Sequence, residues 1–254
     1  MSRHARRKTR ATADNARATQ PLSGKIALIT GASRGIGFAI AKALADEGCD
    51  LVLTARGESA LKKASRELND VRVLAQTCDV RDERSVDSLF KAVRNEFGRL
   101  DFLINNAGTS HTTADVDRLS PKVWQDVIAT NLTGMFLCTR AALPLMSERA
   151  AIVNNLSVAA NRVFAGQSAY CASKHGALGF TNTLREEVRG RGIRVIALLV
   201  GATDTDIWDQ FMPSAPRAGM LRSETIARAV LDALLLPAEA TVEEVIIRPT
   251  RNAL

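Results

Sequence analysis

Tyr170 and Lys174 lie four residues apart, and one turn of helix would place the phenol and the ammonium on the same face. A free tyrosine titrates near ~10, which makes it a poor proton donor or acceptor at neutral pH. A lysine held nearby favours the phenolate and lowers the tyrosine pKa. The pair is therefore a candidate acid/base group. A surface tyrosine stacked on a lysine stem would show the same spacing, so the rest of the chain must decide.

The composition is that of an ordinary globular protein, with 46% hydrophobic and 24% charged residues in a chain of 254. This length suits one large α/β domain better than two of average size, and we predict a single domain over residues 21–254. No apolar stretch approaches the roughly 18 to 20 residues that a membrane-spanning helix needs, so we expect no membrane association.

The net charge of +7 is concentrated at the N terminus. Residues 1–20 hold six basic residues and one acid, which leaves the rest of the chain with a charge of only +2. Because this segment has no apolar periodicity, we predict a disordered basic tail. A targeting presequence and a nucleic-acid-binding arm are the alternatives that its arginines leave open.

The cysteines and histidines show neither disulfide nor metal-binding spacing. The cysteines form no CxxC pair, and most have the apolar or small neighbours of buried thiols: Cys49, Cys78, Cys138 and Cys171. We therefore expect a reducing, cytoplasmic location. The histidines are far apart in the sequence, with no HxxxH or HExxH spacing, so no metal site is predicted: His4, His111 and His175.

From residue 25 onward, short β-branched or leucine-rich runs alternate with longer helical patterns, which is typical of a doubly wound α/β fold. Seven strands are predicted, at residues 26–30, 51–55, 71–77, 102–105, 151–156, 193–199 and 244–247. Their apolar runs are nearly continuous, as in parallel strands covered on both faces. We predict a Rossmann fold, a seven-stranded parallel sheet between two layers of helices. The irregular stretch 201–222 is predicted to be a mobile loop over a site.

The first predicted strand leads into a glycine-rich turn, Gly31-Ala32-Ser33-Arg34-Gly35-Ile36-Gly37, and a helix is predicted to begin near Phe38. Glycines allow a tight turn and a close approach of the backbone to a pyrophosphate. The helix adds unpaired amide hydrogens and the positive end of its dipole. The order of strand, glycines and helix therefore predicts a dinucleotide phosphate site.

The spacing of this turn resembles the TGxxxGxG motif of the short-chain dehydrogenase/reductase family. Further motifs of that family follow in its order: Asp79-Val80 after the third strand, Asn105-Asn106-Ala107-Gly108 after the fourth, then Asn131, Ser157, Tyr170 and Lys174. The joint match extends from about residue 23 to about residue 205. The resemblance implies an enzyme that transfers a hydride between a nicotinamide cofactor and a carbonyl compound or alcohol.

The choice of cofactor can be argued from charge at the end of the second strand. NAD(H) needs an acid there to accept two ribose hydroxyls, whereas the 2′-phosphate of NADP(H) is repelled by an acid and stabilised by arginine. Ala55 occupies the acid's position, Arg56 follows it, and Arg34 lies in the glycine turn. We predict NADP(H), the alternative being that both arginines point into water.

By the same resemblance, the glycine turn would line the pyrophosphate and ribose, Asp79 would meet the adenine, and Val80 would supply a backbone contact. The segment 106–108 would form the wall behind the adenosine ribose or only support the sheet. The full set expected to bind the cofactor is Gly31, Ser33, Arg34, Gly35, Ile36, Gly37, Arg56, Asp79, Val80, Asn106, Ala107, Gly108, Tyr170, Lys174, Gly201, Thr203 and Thr205.

The resemblance further implies a catalytic site of Asn131, Ser157, Tyr170 and Lys174. Tyr170 would donate a proton to the carbonyl oxygen, and Ser157 would polarise that oxygen. Lys174 would lower the pKa of Tyr170 and bind the nicotinamide ribose. Asn131 would hold a relay water, or would only bond the backbone at a helix bend.

The chain departs from the family pattern in three places. Val200-Gly201 replaces the usual Pro-Gly after the sixth strand, and Leu156 stands before Ser157 where a second serine is common. The stretch 245–250 lacks the Asp-Gly-Gly of 3-oxoacyl carrier-protein reductases, which argues for another branch of the family.

Substrate choice should lie in the loop 206–222, which offers an apolar set of Ile207, Trp208, Phe211, Met212 and Met220. Arg217 and Arg222 in this loop leave room for an acidic substrate or are solvated charges. His111 is expected to face solvent. By family analogy we expect a homodimer or homotetramer built through the helices around residues 123–146 and 168–189.

The leading hypothesis is an NADP(H)-dependent reductase of a small-molecule ketone, aldehyde or secondary alcohol, with no nucleic-acid partner. A 3-oxoacyl-[acyl-carrier-protein] reductase is one alternative. The other is a noncatalytic, dinucleotide-sensing or nucleic-acid-binding protein that uses its basic tail. Salt-dependent nucleic-acid binding that is lost on deletion of residues 1–20 would support this last hypothesis.

Overall fold

A computed structural model describes residues 20–237 and 239–251 of the chain. The predicted disordered tail therefore falls outside the described residues, apart from Gln20. Within them the seven strands form one parallel sheet, in the spatial order β3-β2-β1-β4-β5-β6-β7. The strands are β1 Ile26–Thr30, β2 Asp50–Ala55, β3 Val73–Thr77, β4 Phe102–Asn105, β5 Ala151–Asn155, β6 Arg194–Val200 and β7 Glu244–Ile247. The predicted fold is confirmed, and the observed ends differ from the predicted ones by at most two residues.

Helices cross over between successive strands. They are α1 Gly35–Asp46, α2 Glu58–Arg66, α3 Glu83–Phe97, α4 Pro121–Ile128, α5 Gly134–Ala142, α6 Ser168–Arg189, α7 Ile207–Phe211 and α8 Ser223–Leu234. A π turn, Ala129–Thr133, joins α4 to α5, and short 3₁₀ turns span Leu143–Leu145 and Val158–Ala160. Helix α1 begins at Gly35, three residues before the predicted start, because the last two glycines of the turn already belong to its first turn.

The five central strands are buried on both faces, which explains their nearly continuous apolar runs, whereas the edge strands β3 and β7 are partly exposed. Ala27 and Ile29 of β1 face the layer of α1 and α8, whereas Ile26 and Leu28 face the layer of α3, α5 and α6. All four cysteines are buried free thiols, as their neighbours predicted. No helix in the described part of the chain is long and apolar enough to cross a membrane.

The strand order reverses direction at the centre of the sheet, where β1 lies between β2 and β4. In doubly wound sheets a crevice opens at the carboxyl ends of the strands at such a switch point. The loops after all seven strands converge on this edge because the strands are parallel. The irregular stretch 201–222 belongs to this edge, and it contains the short helix α7 and a bridge between Thr203 and Leu221. Its predicted mobility stays a prediction.

Candidate active site

A cleft of about 590 Å³ runs along the carboxyl edge of the sheet. Its nucleotide half is formed by the loops after β1 to β4, at residues 31–36, 54–60, 78–80 and 106–110. Its substrate half is formed by the loops after β5 to β7, at residues 155–174, 200–212 and 248–249. All the predicted site residues line this cleft except two, Gly37 and Asn131. The structure therefore brings the predicted phosphate turn and the predicted acid/base pair to one cavity.

The glycine turn is shaped for close backbone approach. Gly31 and Gly35 have φ angles of +65° and +57°, in the left-handed region that glycine tolerates best. A Cβ atom at Gly37 would lie 2.4 Å from Asn106 Nδ2 and 2.5 Å from the Gly31 carbonyl oxygen, so no side chain fits there. Helix α1 has no side-chain cap and no acid in its first turn. Its N-terminal amides are thus available to a phosphate.

The segment after β4 fastens the glycine turn to the sheet. The Thr30 hydroxyl accepts hydrogen bonds from the Asn106 and Ala107 amides, each at 2.9 Å. The Asn106 side chain donates to the carbonyls of Thr30 at 3.0 Å and Gly31 at 3.2 Å. The sequence left open whether this segment supports the sheet or contacts the cofactor. The structure shows a supporting role for residues that also line the cleft.

Positive charge gathers at the end of β2. Arg34 and Arg56 both line the cleft, and Ala55 stands where an acid would accept ribose hydroxyls. Arg34 Nη1 lies 3.1 Å from Asp206 Oδ2, and both side chains are more than half exposed. An exposed pair of this kind contributes roughly 0–1 kcal/mol, so it does not prevent Arg34 from binding a phosphate.

Asp79, predicted to meet the adenine, lines the cleft but already has a partner. Arg81 Nη2 donates to Asp79 Oδ2 at 2.7 Å, and the Arg81 backbone amide donates to Asp79 Oδ1 at 3.0 Å. These hydrogen bonds lower the pKa of the Asp79 carboxyl. The carboxylate is therefore held ionised and in a fixed orientation beside Val80.

The reacting groups stand where β5 meets α6. Ser157 caps the 3₁₀ turn that follows β5, and its hydroxyl accepts a hydrogen bond from the Ala159 amide at 3.1 Å. Tyr170, the only tyrosine of the chain, lies in the first turn of α6, and Lys174 lies one turn further on. Lys174 Nζ is 5.7 Å from the centre of the Tyr170 ring and donates to the Asn155 carbonyl at 3.0 Å.

Burial dominates the titration of this pair. It raises the pKa of Tyr170, and a hydrogen bond with Ser157 acts in the opposite direction. Burial also lowers the pKa of Lys174 to about 8. The expectation that Lys174 lowers the Tyr170 pKa stays a prediction, because burial and the Ser157 hydrogen bond are the main influences on that pKa in this structure. Tyr170 is thus a protonated phenol at neutral pH, the form that a proton donor requires.

Asn131 lies in the π turn behind the cleft. Its Oδ1 accepts from the Thr109 amide at 2.8 Å, and its Nδ2 donates to the Thr109 carbonyl at 2.9 Å and to Ser173 Oγ at 3.0 Å. Its side chain therefore holds the Thr109 loop against α6. A catalytic role for Asn131 stays a prediction, while positioning of the loop is observed.

Three of the expected polar neighbours are placed differently. His111 is buried, not solvent-facing, and its Nδ1 lies 2.8 Å from the Thr112 carbonyl oxygen. Arg217 pairs with Asp204 at 2.8 Å and with Asp209 at 2.7 Å, and it does not line the cleft. Arg222 is exposed outside the cleft. Of the two alternatives left open for Arg217 and Arg222, the structure favours surface charges over contacts with a substrate in the cleft.

The substrate half has an apolar wall. Trp208 and Phe211 pack with ring centres 5.0 Å apart, and Ile207, Met212 and Phe164 complete the lining. Met220, predicted for this wall, is instead buried beneath it against Trp208. The sequence analysis missed Asn155, Arg162, Gln167 and Arg248, which also line the cleft. No local motif marks these residues, and only the strand order brings their loops together.

The fold is of the Rossmann type, and its cleft has the predicted phosphate turn at one end and Ser157, Tyr170 and Lys174 at the other. A family model described as short chain dehydrogenase matches residues 25–215. The chain therefore belongs to the short-chain dehydrogenase family.

Individual relatives agree with this assignment. The chain is 38% identical over 188 residues to a 3-oxoacyl-[acyl-carrier-protein] reductase of Vibrio cholerae, covering 73% of this chain and 76% of that protein. The structure of an alcohol dehydrogenase of Thermococcus sibiricus complexed with 5-hydroxy-NADP is 32% identical, with a TM-score of 0.82 over 89% of this chain and 97% of that one. The structure of a 3-ketoacyl-(acyl-carrier-protein) reductase of Brucella melitensis complexed with NADH is 28% identical, with a TM-score of 0.81 over 91% of this chain and 99% of that one.

Proposed function

We propose that this protein is an NADP(H)-dependent reductase that interconverts a ketone or aldehyde and an alcohol. The observation that carries the proposal is the single cleft that joins the glycine turn to Ser157, Tyr170 and Lys174. When bound, the nicotinamide supplies the hydride in reduction and accepts it in oxidation. Known relatives act on both alcohols and oxoacyl compounds, by their names, so the class of reaction is better supported than the substrate.

Residues of the chain stabilise the negative charge that develops on the carbonyl oxygen during reduction. Tyr170 donates its phenolic proton to the carbonyl oxygen, and its raised pKa keeps that proton in place until the oxygen becomes basic. Ser157 is hydrogen-bonded to Tyr170 and holds the same oxygen. The Lys174 ammonium, anchored on the Asn155 carbonyl, stabilises the phenolate that remains. Alcohol oxidation follows the same steps in reverse.

The preference for NADP(H) rests on Arg34 and Arg56 at the end of β2, together with the absence of an acid at Ala55. Arginine binds a 2′-phosphate through two parallel hydrogen bonds, whereas the two ribose hydroxyls of NAD(H) need an acceptor. Of the two relatives of known structure, one is complexed with 5-hydroxy-NADP and the other with NADH, so the local charge is the deciding observation.

A second candidate, 3-oxoacyl-[acyl-carrier-protein] reductase, is favoured by the identity to the Vibrio cholerae protein. Against it stands the sequence 245–250, where Arg248-Pro249-Thr250 replaces Asp-Gly-Gly and Arg248 lines the cleft. The two candidates differ in whether the substrate must carry an acyl thioester.

A panel of ketones, aldehydes and an acetoacetyl thioester, followed by nicotinamide absorbance with NADPH and with NADH, tests the proposal. We expect turnover of simple carbonyl compounds and a kcat/KM at least ~10-fold higher with NADPH than with NADH. A clear preference for NADH would contradict the cofactor assignment. Turnover of the thioester alone would select the second candidate.

We further propose a homo-oligomer that works in the cytoplasm. Trp124 and Phe136 are exposed by 40% and 43% on the connected helices α4 and α5, and Phe136 packs edge-on against Phe180 of α6. Exposed aromatic side chains on neighbouring helices are typical of a subunit interface. Sedimentation analysis of the protein measures the state directly, and a monomer at micromolar concentration would contradict it.

A further inference from the structure

The charges of the cleft differ between its two halves. In the nucleotide half, Arg34, Arg56 and Asp79 line the cleft, and Asp79 is held by Arg81. In the substrate half the lining charges are Arg162, Lys174, Asp206 and Arg248, and Asp206 is paired with Arg34. Lys174 is occupied by the Asn155 carbonyl. The two lining cations of this half not yet assigned a partner are Arg162 and Arg248.

Among the residues of 20–237 and 239–251 whose side chains the structure describes, neither arginine has a side-chain hydrogen bond or salt-bridge partner. The contrast with Arg217 is informative, because that arginine lies in the nearby loop and is neutralised by two aspartates outside the cleft. Arg162 and Arg248 are exposed residues that line the cavity. An anion that enters the substrate half would meet uncompensated guanidinium groups.

Both arginines line the same cleft as Ser157 and Tyr170. Arg162 lies on the loop between Ser157 and Tyr170, five residues after the serine. Arg248 follows β7 directly, and its backbone packs on the start of the loop after β6: a Cβ at Gly201 would lie 3.3 Å from Arg248 Cα. Strands β5, β6 and β7 are neighbours in the sheet, so the loops that carry the two arginines leave strands separated by β6 alone.

We propose that Arg162 and Arg248 form an anion subsite, and that the substrate is a carbonyl compound with a carboxylate, an oxo acid reduced to a hydroxy acid. This inference rests on the proposed function and names its substrate class. The ketone oxygen lies at Tyr170 and Ser157, the carbon chain lies on the Trp208 and Phe211 wall, and the carboxylate binds the guanidinium groups. Planar guanidinium matches a carboxylate through two parallel hydrogen bonds.

The cofactor is the competing source of negative charge. In the proposed function its pyrophosphate binds the glycine turn and the α1 amides, and its 2′-phosphate binds Arg34 and Arg56. These groups all lie in the nucleotide half. Arg162 and Arg248 lie on the loops after β5 and β7, whereas these phosphate sites lie on the loop after β1 and at the end of β2. A cofactor role for them would appear as a raised KM for NADPH, which makes the two assignments separable.

The test uses oxo acids that carry the ketone at carbon 2, 3 or 4, counted from the carboxyl carbon. Each acid is paired with its methyl ester. Wild-type protein should reduce at least one acid with a kcat/KM about 10-fold above that of its ester, and added salt should reduce this ratio. Arg162→Met and Arg248→Met should each lower kcat/KM for the acid roughly 5- to 20-fold. The kcat/KM for the ester and the KM for NADPH should each change by less than about twofold.

Arg222→Met is the matched control, because Arg222 is an exposed arginine outside the cleft, and it should leave the acid-to-ester ratio unchanged. Equal use of acid and ester by the wild-type protein would overturn the inference, as would variants that lose activity equally on both. Preference for an acyl thioester over every oxo acid, or a raised KM for NADPH in the variants, would also overturn it. Failure of the proposed function looks different, since no carbonyl compound would then consume NADPH.

Discussion

The two halves of the cleft differ in the atoms that form their walls. In the nucleotide half the walls are backbone, held by hydrogen bonds from Thr30 and Asn106 and by glycines with no room for a side chain. In the substrate half the walls are side chains of long loops, including Trp208, Phe211 and Arg162. Backbone walls suit the binding of a ligand that many proteins share. Side chains on loops can be substituted without disturbing the sheet.

This difference decides what a substitution does. A change in the nucleotide half displaces main chain that the sheet depends on, so binding and folding are lost together. A change in the substrate half alters which molecule fits beside Tyr170 while the reacting groups stay in place. The predictions below compare the two halves, beginning with the most severe change.

Gly37→Ala should weaken NADP⁺ binding by at least ~100-fold, because its Cβ would overlap Asn106 Nδ2 and the Gly31 carbonyl oxygen and displace the turn. Calorimetric titration measures the binding, and thermal unfolding reports any loss of stability. Gly179→Ala is the matched control, since Gly179 is exposed on α6 with nothing within 4 Å of its Cβ position. Normal binding by Gly37→Ala would show that the turn is not the phosphate site.

The pH dependence separates Lys174 from Tyr170. Lys174, with a pKa of about 8, is charged below that pH and loses its proton above it. The raised pKa of Tyr170 keeps the phenol protonated through the same range. We expect kcat/KM for NADPH in ketone reduction to be level below pH 8 and to fall about tenfold per unit above it.

The Lys174→Met variant is the control for this profile, since its low rate should lack the descending limb at pH 8. A wild-type profile that stays level to pH 10 would show that the ammonium of Lys174 does not contribute. A rate that rises above pH 8 in the reduction direction would reverse the assigned roles.

Replacement of the two arginines at the end of β2 should change the cofactor preference alone. The double variant Arg34→Ala, Arg56→Ala should raise the KM for NADPH roughly 10- to 50-fold, because the 2′-phosphate loses both cations. The KM for NADH, which lacks this phosphate, should change by less than about threefold. Steady-state kinetics with both cofactors measures the effect, and an equal rise for both would place these arginines on the shared pyrophosphate.

Asp206→Asn tests the one ion pair that joins the two halves. Asp206 holds Arg34 across the cleft at 3.1 Å, and both groups are exposed, so the pair is weak. Its removal frees Arg34 and should lower the KM for NADPH by about two- to threefold, with no change for NADH. A raised KM for NADPH would mean that Asp206 positions Arg34 for the phosphate.

The same contrast explains how far the sequence could be interpreted. The nucleotide half was predictable because glycines, a strand and a helix start define backbone geometry locally, as at residues 31–37. The substrate half depends on which loops meet above the sheet. The sequence therefore offered Arg217 and Arg222 either for an acidic substrate or as solvated charges, and it did not reveal that Arg162 and Arg248 line the cleft. His111 was expected in solvent, and its burial was missed because the burial of a loop residue depends on packing with distant parts of the chain.

Tyr170→Phe tests the central claim most directly, because it removes one hydroxyl and leaves the ring in place. Turnover of the best carbonyl substrate and binding of NADPH should be measured on the same preparation. We predict a fall in kcat of roughly 10²- to 10⁴-fold, with the Kd for NADPH changed by less than about fivefold. A Tyr170→Phe protein that reduces the carbonyl at the wild-type rate would contradict the assignment of Tyr170 as the proton donor.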